Sequence, residues 1–132
     1  MSANISSIIE RYDGDILIGT DGHGIFKLNE DTEELIFKQD MSLSNSFHIQ
    51  DLHEDRDKNL WIATSDLGIY QITSSGAQKR FFEQGNNDFS CINEDTFGNI
   101  YAGCLQKGLY KFNKKENLFQ LIPYPSPLHI KC

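Results

Sequence analysis

The sequence predicts an all-β chain, built as about three four-stranded antiparallel blades in a partial, open array. Three observations lead to this. One segment occurs three times, as Asp15-Ile16-Leu17-Ile18-Gly19-Thr20, Asn59-Leu60-Trp61-Ile62-Ala63-Thr64 and Asn99-Ile100-Tyr101-Ala102-Gly103-Cys104. Gly24, Gly68 and Gly108 stand in register, 44 and then 40 residues apart, and each opens the same kind of strand: Ile25-Phe26-Lys27-Leu28, Ile69-Tyr70-Gln71-Ile72 and Leu109-Tyr110-Lys111-Phe112. Upstream, Glu10, Glu54 and Glu94 align, as do Ile8, Leu52 and Ile92. A period of about 40–45 residues with four short strands per unit is the pattern of a β-propeller blade.

Blade 1, about residues 4–40, opens with a strand over 4–10, apolar at Ile5, Ile8 and Ile9. Residues 11–15 form a turn, with Asp13-Gly14 as a strong hairpin signal. Residues 16–20 are almost continuously apolar, which suits a strand buried on both faces by neighbouring blades. Asp21-Gly22-His23-Gly24 turns the chain into the third strand, 25–28, and a polar turn over 29–34 leads to an outer strand at 35–38.

Blade 2, about 47–84, repeats this with strands at 49–54, 59–64, 69–73 and 79–83. Blade 3, about 88–122, has strands at 89–94, 99–104, 109–112 and 118–122. Pro123, Pro125 and Pro127 mark a connector, because proline cannot donate to a central ladder. Pro127-Leu128-His129-Ile130-Lys131 resembles Ser46-Phe47-His48-Ile49-Gln50. Residues 127–132 therefore read as the start of a fourth blade, and the chain as a piece of a longer array. No segment reads as a helix. Residues 45–54 fit a helical wheel, but their repeats around Ile8 and Ile92 carry β-branched runs.

The 132 residues carry a net charge of −7. That argues against nucleic acid and against anionic membrane surfaces, since both need clustered Lys and Arg. Lys79-Arg80 and Lys114-Lys115 read as a solvated edge strand and a solvated turn. No run approaches the roughly 18 apolar residues of a membrane span, so no direct membrane contact is expected of this segment. The first four residues show neither the basic region nor the apolar core of a secretory signal. Cys91, Cys104 and Cys132 are an odd set without CxxC spacing and read as small buried or terminal thiols.

Residues 54–64, Glu-Asp-Arg-Asp-Lys-Asn-Leu-Trp-Ile-Ala-Thr, followed by Leu67-Gly68-Ile69-Tyr70, resemble the two-component-regulator propeller repeat. So does the lead-in Ser42-Leu43-Ser44-Asn45. Blade 1 departs from the pattern at Leu17, where the family favours Trp, and blade 3 departs at Tyr101 and Cys104. The resemblance implies the periplasmic sensor region of a hybrid two-component system of the Bacteroidetes type. There, propellers precede a β-sandwich, a membrane helix and a histidine kinase, and many such receptors sense oligosaccharides. Nothing in this chain resembles the kinase, receiver or DNA-binding parts, so it is expected to hold only sensor blades. The implied partners are an oligosaccharide ligand and the remaining blades of the receptor or another copy of the chain.

In a four-stranded blade, the loop between strands two and three opens on the same face as the connection entering the next blade. That places Asp21, His23, Asp66, Gln106 and Lys107 on one rim, with His48 entering beside them. Loops on a rigid scaffold are where binding residues concentrate, and this set suits sugar hydroxyls; solvated loops have the same composition. His48 and His129 are equivalent positions, and no H-x-x-x-H or H-E-x-x-H spacing occurs, so no metal is expected. Glu54-Asp55 and Glu94-Asp95 resemble acid–base pairs, but their repetition points to turn capping. Trp61, Tyr70, Tyr110 and Phe26 could stack on sugar, yet their places in the strand pattern point to packing between blades. No cofactor fingerprint is present. Two rival readings stay open. A lyase of the streptogramin-lyase type needs a rim cluster for which only Lys107, His23 and Asp66 offer a start. An interaction module predicts a partner and no small ligand; the exposed faces of the end blades predict self-association.

Overall fold

Leu60, Trp61, Ile62, Ala63 and Thr64 are all buried, as a strand flanked on both sides requires. That strand lies in the middle of the architecture. The computed structural model describes residues 4–37, 48–82, 87–105 and 107–123. These form twelve strands: β1 (Asn4–Glu10), β2 (Ile16–Asp21), β3 (Ile25–Asn29), β4 (Glu34–Phe37), β5 (Ile49–Glu54), β6 (Leu60–Thr64), β7 (Ile69–Ile72), β8 (Gln78–Phe81), β9 (Phe89–Glu94), β10 (Ile100–Cys104), β11 (Gly108–Asn113) and β12 (Leu118–Leu121). The described residues contain no helix.

The strands make three four-stranded antiparallel sheets in chain order, β1 to β4, β5 to β8 and β9 to β12. These are propeller blades, and their registers coincide. Ile8 faces Ile18, Leu52 faces Ile62, and Ile92 faces Ala102. Each innermost strand carries a bulge near its start, between Ile5 and Ser7, between Ile49 and Asp51, and opposite Gly103 and Cys104. One extra residue per innermost strand bends it and raises its twist.

Because side chains alternate across a strand, β6 feeds two cores. Leu60 and Ile62 pack with Leu17, Ile25, Ile49 and Leu52 between blades 1 and 2. Gly19 makes room there: a Cβ on it would stand 2.8 Å from Ile49 Cγ2. Trp61 and Ala63 turn the other way, toward blade 3. Trp61 lies 5.1 Å from Phe112 and 5.7 Å from Phe119 between ring centroids, both edge-on, and 6.0 Å from Phe81. Edge-to-face pairs of this kind add about 0.5–1.5 kcal/mol each to the area buried. Trp61 and Tyr110 are thus core residues, Tyr70 packs against the blade 1–2 core, and Phe26 is half-buried.

The cysteine expectation needs one correction. Cys104 is a buried thiol outside any disulfide, but Cys91 is disulfide-bonded. An odd count without CxxC spacing gives no sign of such a bridge in the sequence. Gln106 and residues 124–132, which include the expected start of a fourth blade, lie outside the described residues.

Candidate functional site

The rim is built by hydroxyls in the second strand of each of the first two blades. Thr20 Oγ1 donates to Gly24 O at 2.6 Å and accepts from His23 N at 3.1 Å. Thr64 Oγ1 donates to Gly68 O at 2.8 Å and accepts from Leu67 N at 2.9 Å. Both threonines are buried, so each satisfies the turn from beneath and fixes the loop above it. Cys104 holds this place in blade 3 without a hydroxyl.

The segments entering blades 2 and 3 are each tied to a loop of their own blade, and one further bond joins the blade 2 loop to the segment that enters blade 3. His48 O accepts from Ser65 N at 3.1 Å, and Asp88 O accepts from Leu105 N at 3.3 Å. Gly68 N donates to Asn87 O at 3.1 Å. The β2–β3, β6–β7 and β10–β11 loops therefore share one rim with residues 48, 87 and 88.

At the seam of blades 1 and 2 the structure brings two candidates together. His48 Nδ1 lies 2.6 Å from Asp21 Oδ1, both side chains being roughly half exposed. At the seam of blades 2 and 3 the equivalent place holds two carboxylates. Burial first, and the Asp66 carboxylate second, push Asp88 above its ordinary pKa. His23 is half-buried in its turn, and Lys107 is exposed beside β11.

An apolar cavity of about 370 Å³ adjoins this second seam, walled by Phe81, Phe82, Phe89, Tyr110 and Phe119. Arg80 stands at it, with Nε donating to Leu67 O at 2.7 Å and the guanidinium 4.5 Å above the Phe82 ring. Phe82 is 61% exposed. The repeat did not single out Arg80 or Phe82, because the outer strand is where the three blades differ most. A basic residue next to an aromatic pair, Arg80-Phe81-Phe82, was the available signal.

The paired carboxylates divide their labour. Asp55 Oδ1 accepts from Asp57 N and Asn59 N, both at 2.9 Å, and Oδ2 accepts from Asn59 Nδ2 at 3.1 Å and Trp61 Nε1 at 2.8 Å. Asp95 repeats this with Phe97 N, Asn99 N, Asn99 Nδ2 and, at 3.3 Å, the Tyr101 hydroxyl. Those bonds, the Asn99 side chain foremost, draw the Asp95 pKa down to about 2. Glu54 and Glu94 instead reach back to the preceding blade. Neither pair faces the rim. Among the described residues no group of three or more His, Cys, Asp or Glu is placed to hold a metal ion.

Residues 42–66 match the family model described as "Two component regulator propeller". That stretch is similar to a two-component regulator propeller repeat. Histidine kinase P4 of Formosa agariphila is 35% identical over 78 residues, covering 54% of this chain and 6% of that protein. The extracellular domain of a hybrid two-component system of B. thetaiotaomicron superposes with a TM-score of 0.70 at 25% identity, over 89% of this chain and 16% of that one. Virginiamycin B lyase from Staphylococcus aureus superposes at 0.72 with 15% identity, over 93% of this chain and 42% of that one, which shows a shared fold alone. The chain thus spans a small part of the two-component relatives it matches.

Proposed function

We propose that this chain is a non-catalytic sensing segment of a two-component-type receptor, displayed outside the cytoplasm and reading an oligosaccharide on the rim. The observation that carries the reading is the match over residues 42–66, which runs through β5 and β6 and ends in the rim loop at Asp66. The likeness to an extracellular domain of a hybrid two-component system supports the location. The chemistry of the second seam supports the ligand class. Asp66, Asp88 and Arg80 offer acceptors and donors to hydroxyls, while exposed Phe82 and the cavity beside it offer an apolar face for ring C–H groups. In this mechanism the ligand draws two rim loops together across a seam, and the change in blade placement is passed to the rest of the receptor, whose output would be a histidine kinase.

The test is calorimetric titration of the chain with a panel of neutral and acidic oligosaccharides, with the products analysed afterwards. The expected result is binding without turnover, weakened at least about tenfold by Asp66→Asn or Phe82→Ala. Release of a cleaved product would favour the lyase reading, and a panel without a binder would favour the interaction module.

A further inference from the structure

Three links recur at both seams, and β1 presents the receiving half of each. The first is apolar. Leu52 and Ile92, at equivalent places in β5 and β9, are 3% and 4% exposed beneath the preceding blade, whereas Ile8, at the same place in β1, is 63% exposed. The second is a side-chain oxygen that caps the inner strand of the next blade. Leu52 N donates to Ser7 Oγ at 3.2 Å, and Ile92 N donates to Asp51 Oδ2 at 2.9 Å. The third is an arginine clasp. Arg11 Nε donates to Glu54 Oε1 at 2.6 Å while its Nη2 donates to Lys58 O at 3.1 Å. Arg56 Nε donates to Glu94 Oε2 at 3.1 Å while its Nη2 donates to Asp95 O at 3.1 Å and Thr96 O at 2.7 Å. Glu10, equivalent to Glu54 and Glu94, is exposed and has no side-chain partner among the described residues.

We propose that the face of blade 1 turned away from blade 2 docks one further blade of this repeat. That blade carries a serine or aspartate at the Ser7/Asp51 position and an arginine in its first turn that pairs with Glu10. Continuity with the two observed seams and the charge of Glu10 specify this partner. The third blade of a second copy does not meet the specification. Cys91 stands at the Ser7/Asp51 position and is disulfide-bonded, and its first turn, Asp95-Thr96-Phe97-Gly98, contains no cation. Blades 1 and 2 have both features, but their corresponding faces are already covered by blades 2 and 3. The docking surface follows from the seams alone, whatever the rim binds.

The experiment compares the full chain with the full chain preceded by a second copy of residues 48–88 joined directly to Ile5. Amide hydrogen exchange at Ile8 is the readout, and protection at Ile92 reports that blades 2 and 3 remain folded. The expected result is exchange at Ile8 slowed at least about tenfold by the added blade. Arg56→Gln or Asp51→Ala within the added copy should reverse most of that slowing, as should Glu10→Gln, which leaves the melting temperature of the unextended chain unchanged. A fusion carrying residues 88–129 in place of 48–88, which keeps about the same length of chain before Ile5, should slow Ile8 less than about twofold. Equal slowing by both added blades, no slowing with Ile92 still protected, failure of the added blade to order, or Ile8 already protected in a dimer of the unextended chain would each overturn the proposal.

Discussion

Replacing Asp55 by alanine removes the acceptor for four donors, and the consequences differ by donor. The turn amides of Asp57 and Asn59 lie near solvent and can turn to water at modest cost. The Trp61 indole N–H cannot, because Trp61 is 1% exposed and packed among Phe81, Phe112 and Phe119. A buried donor left unpaired costs about 1–3 kcal/mol, and loss of hydrogen bonds to a charged acceptor adds a similar amount. We predict that Asp55→Ala destabilises the chain by about 3–4 kcal/mol, a large share of the 5–15 kcal/mol typical of a domain. Urea unfolding followed by far-ultraviolet circular dichroism measures it. The diagnostic step is a double-mutant cycle with Trp61→Phe, which keeps an aromatic ring and deletes the donor. In that background Asp55→Ala should cost about 1–2 kcal/mol less. A cost below about 1 kcal/mol for the single variant, or no coupling in the cycle, would refute the reasoning.

Gly68→Ala should cost about 3 kcal/mol or more, since Gly68 has φ +84° and a Cβ there would stand 2.2 Å from the Phe81 carbonyl oxygen. Gly76→Ala, at φ +93° in open space, should cost only about 1 kcal/mol by the same urea assay. The Asp95 pKa falls on folding from 3.8 to about 2, so its contribution is fully present above pH 3.8 and is lost as pH falls through about 2. A carboxyl carbon titration by NMR should show the low midpoint, and Asp95→Asn should remove that acid-sensitive component of stability. For Asp88 the sign is opposite: its raised pKa means that folding penalises the charged form, so Asp88→Asn should raise the melting temperature at pH 7, with the gain shrinking as pH falls into the carboxylate range.

The blades were legible because their evidence is periodic. Ile8, Leu52 and Ile92 recur with the glycines, and a one-residue slip would expose a whole strand face. The shared rim was legible too, since strand direction alone puts residues 21, 66 and 107 at one end. The seams were harder to see. Arg11 aligns with Asp55, not with Arg56, so the two clasps are reached from neighbouring positions and aligning the repeats conceals them. Glu54 and Glu94 were read with Asp55 and Asp95 as turn caps. That holds for the aspartates, whereas the longer glutamates span the gap to the blade before. The cavity beside Arg80 is formed by strands of two blades, with Ile69, Arg80 and Phe81 from blade 2 and Phe89, Tyr110 and Phe119 from blade 3. No single stretch of sequence holds its walls, and hydrophobic alternation registers only that Phe81, Phe89 and Phe119 are apolar.

Two-dimensional NMR of the nitrogen-15-labelled chain, titrated with the tightest-binding oligosaccharide, locates the ligand on the rim or away from it. Binding on the rim concentrates amide shifts at Asp66, Leu67, Phe82 and Asp88, with Asp21 and His48 next, and gives none at the opposite turns around Asp13, Asp57 and Phe97. Shifts confined to those opposite turns, or spread along the exposed face of β1 around Ile8, would contradict it.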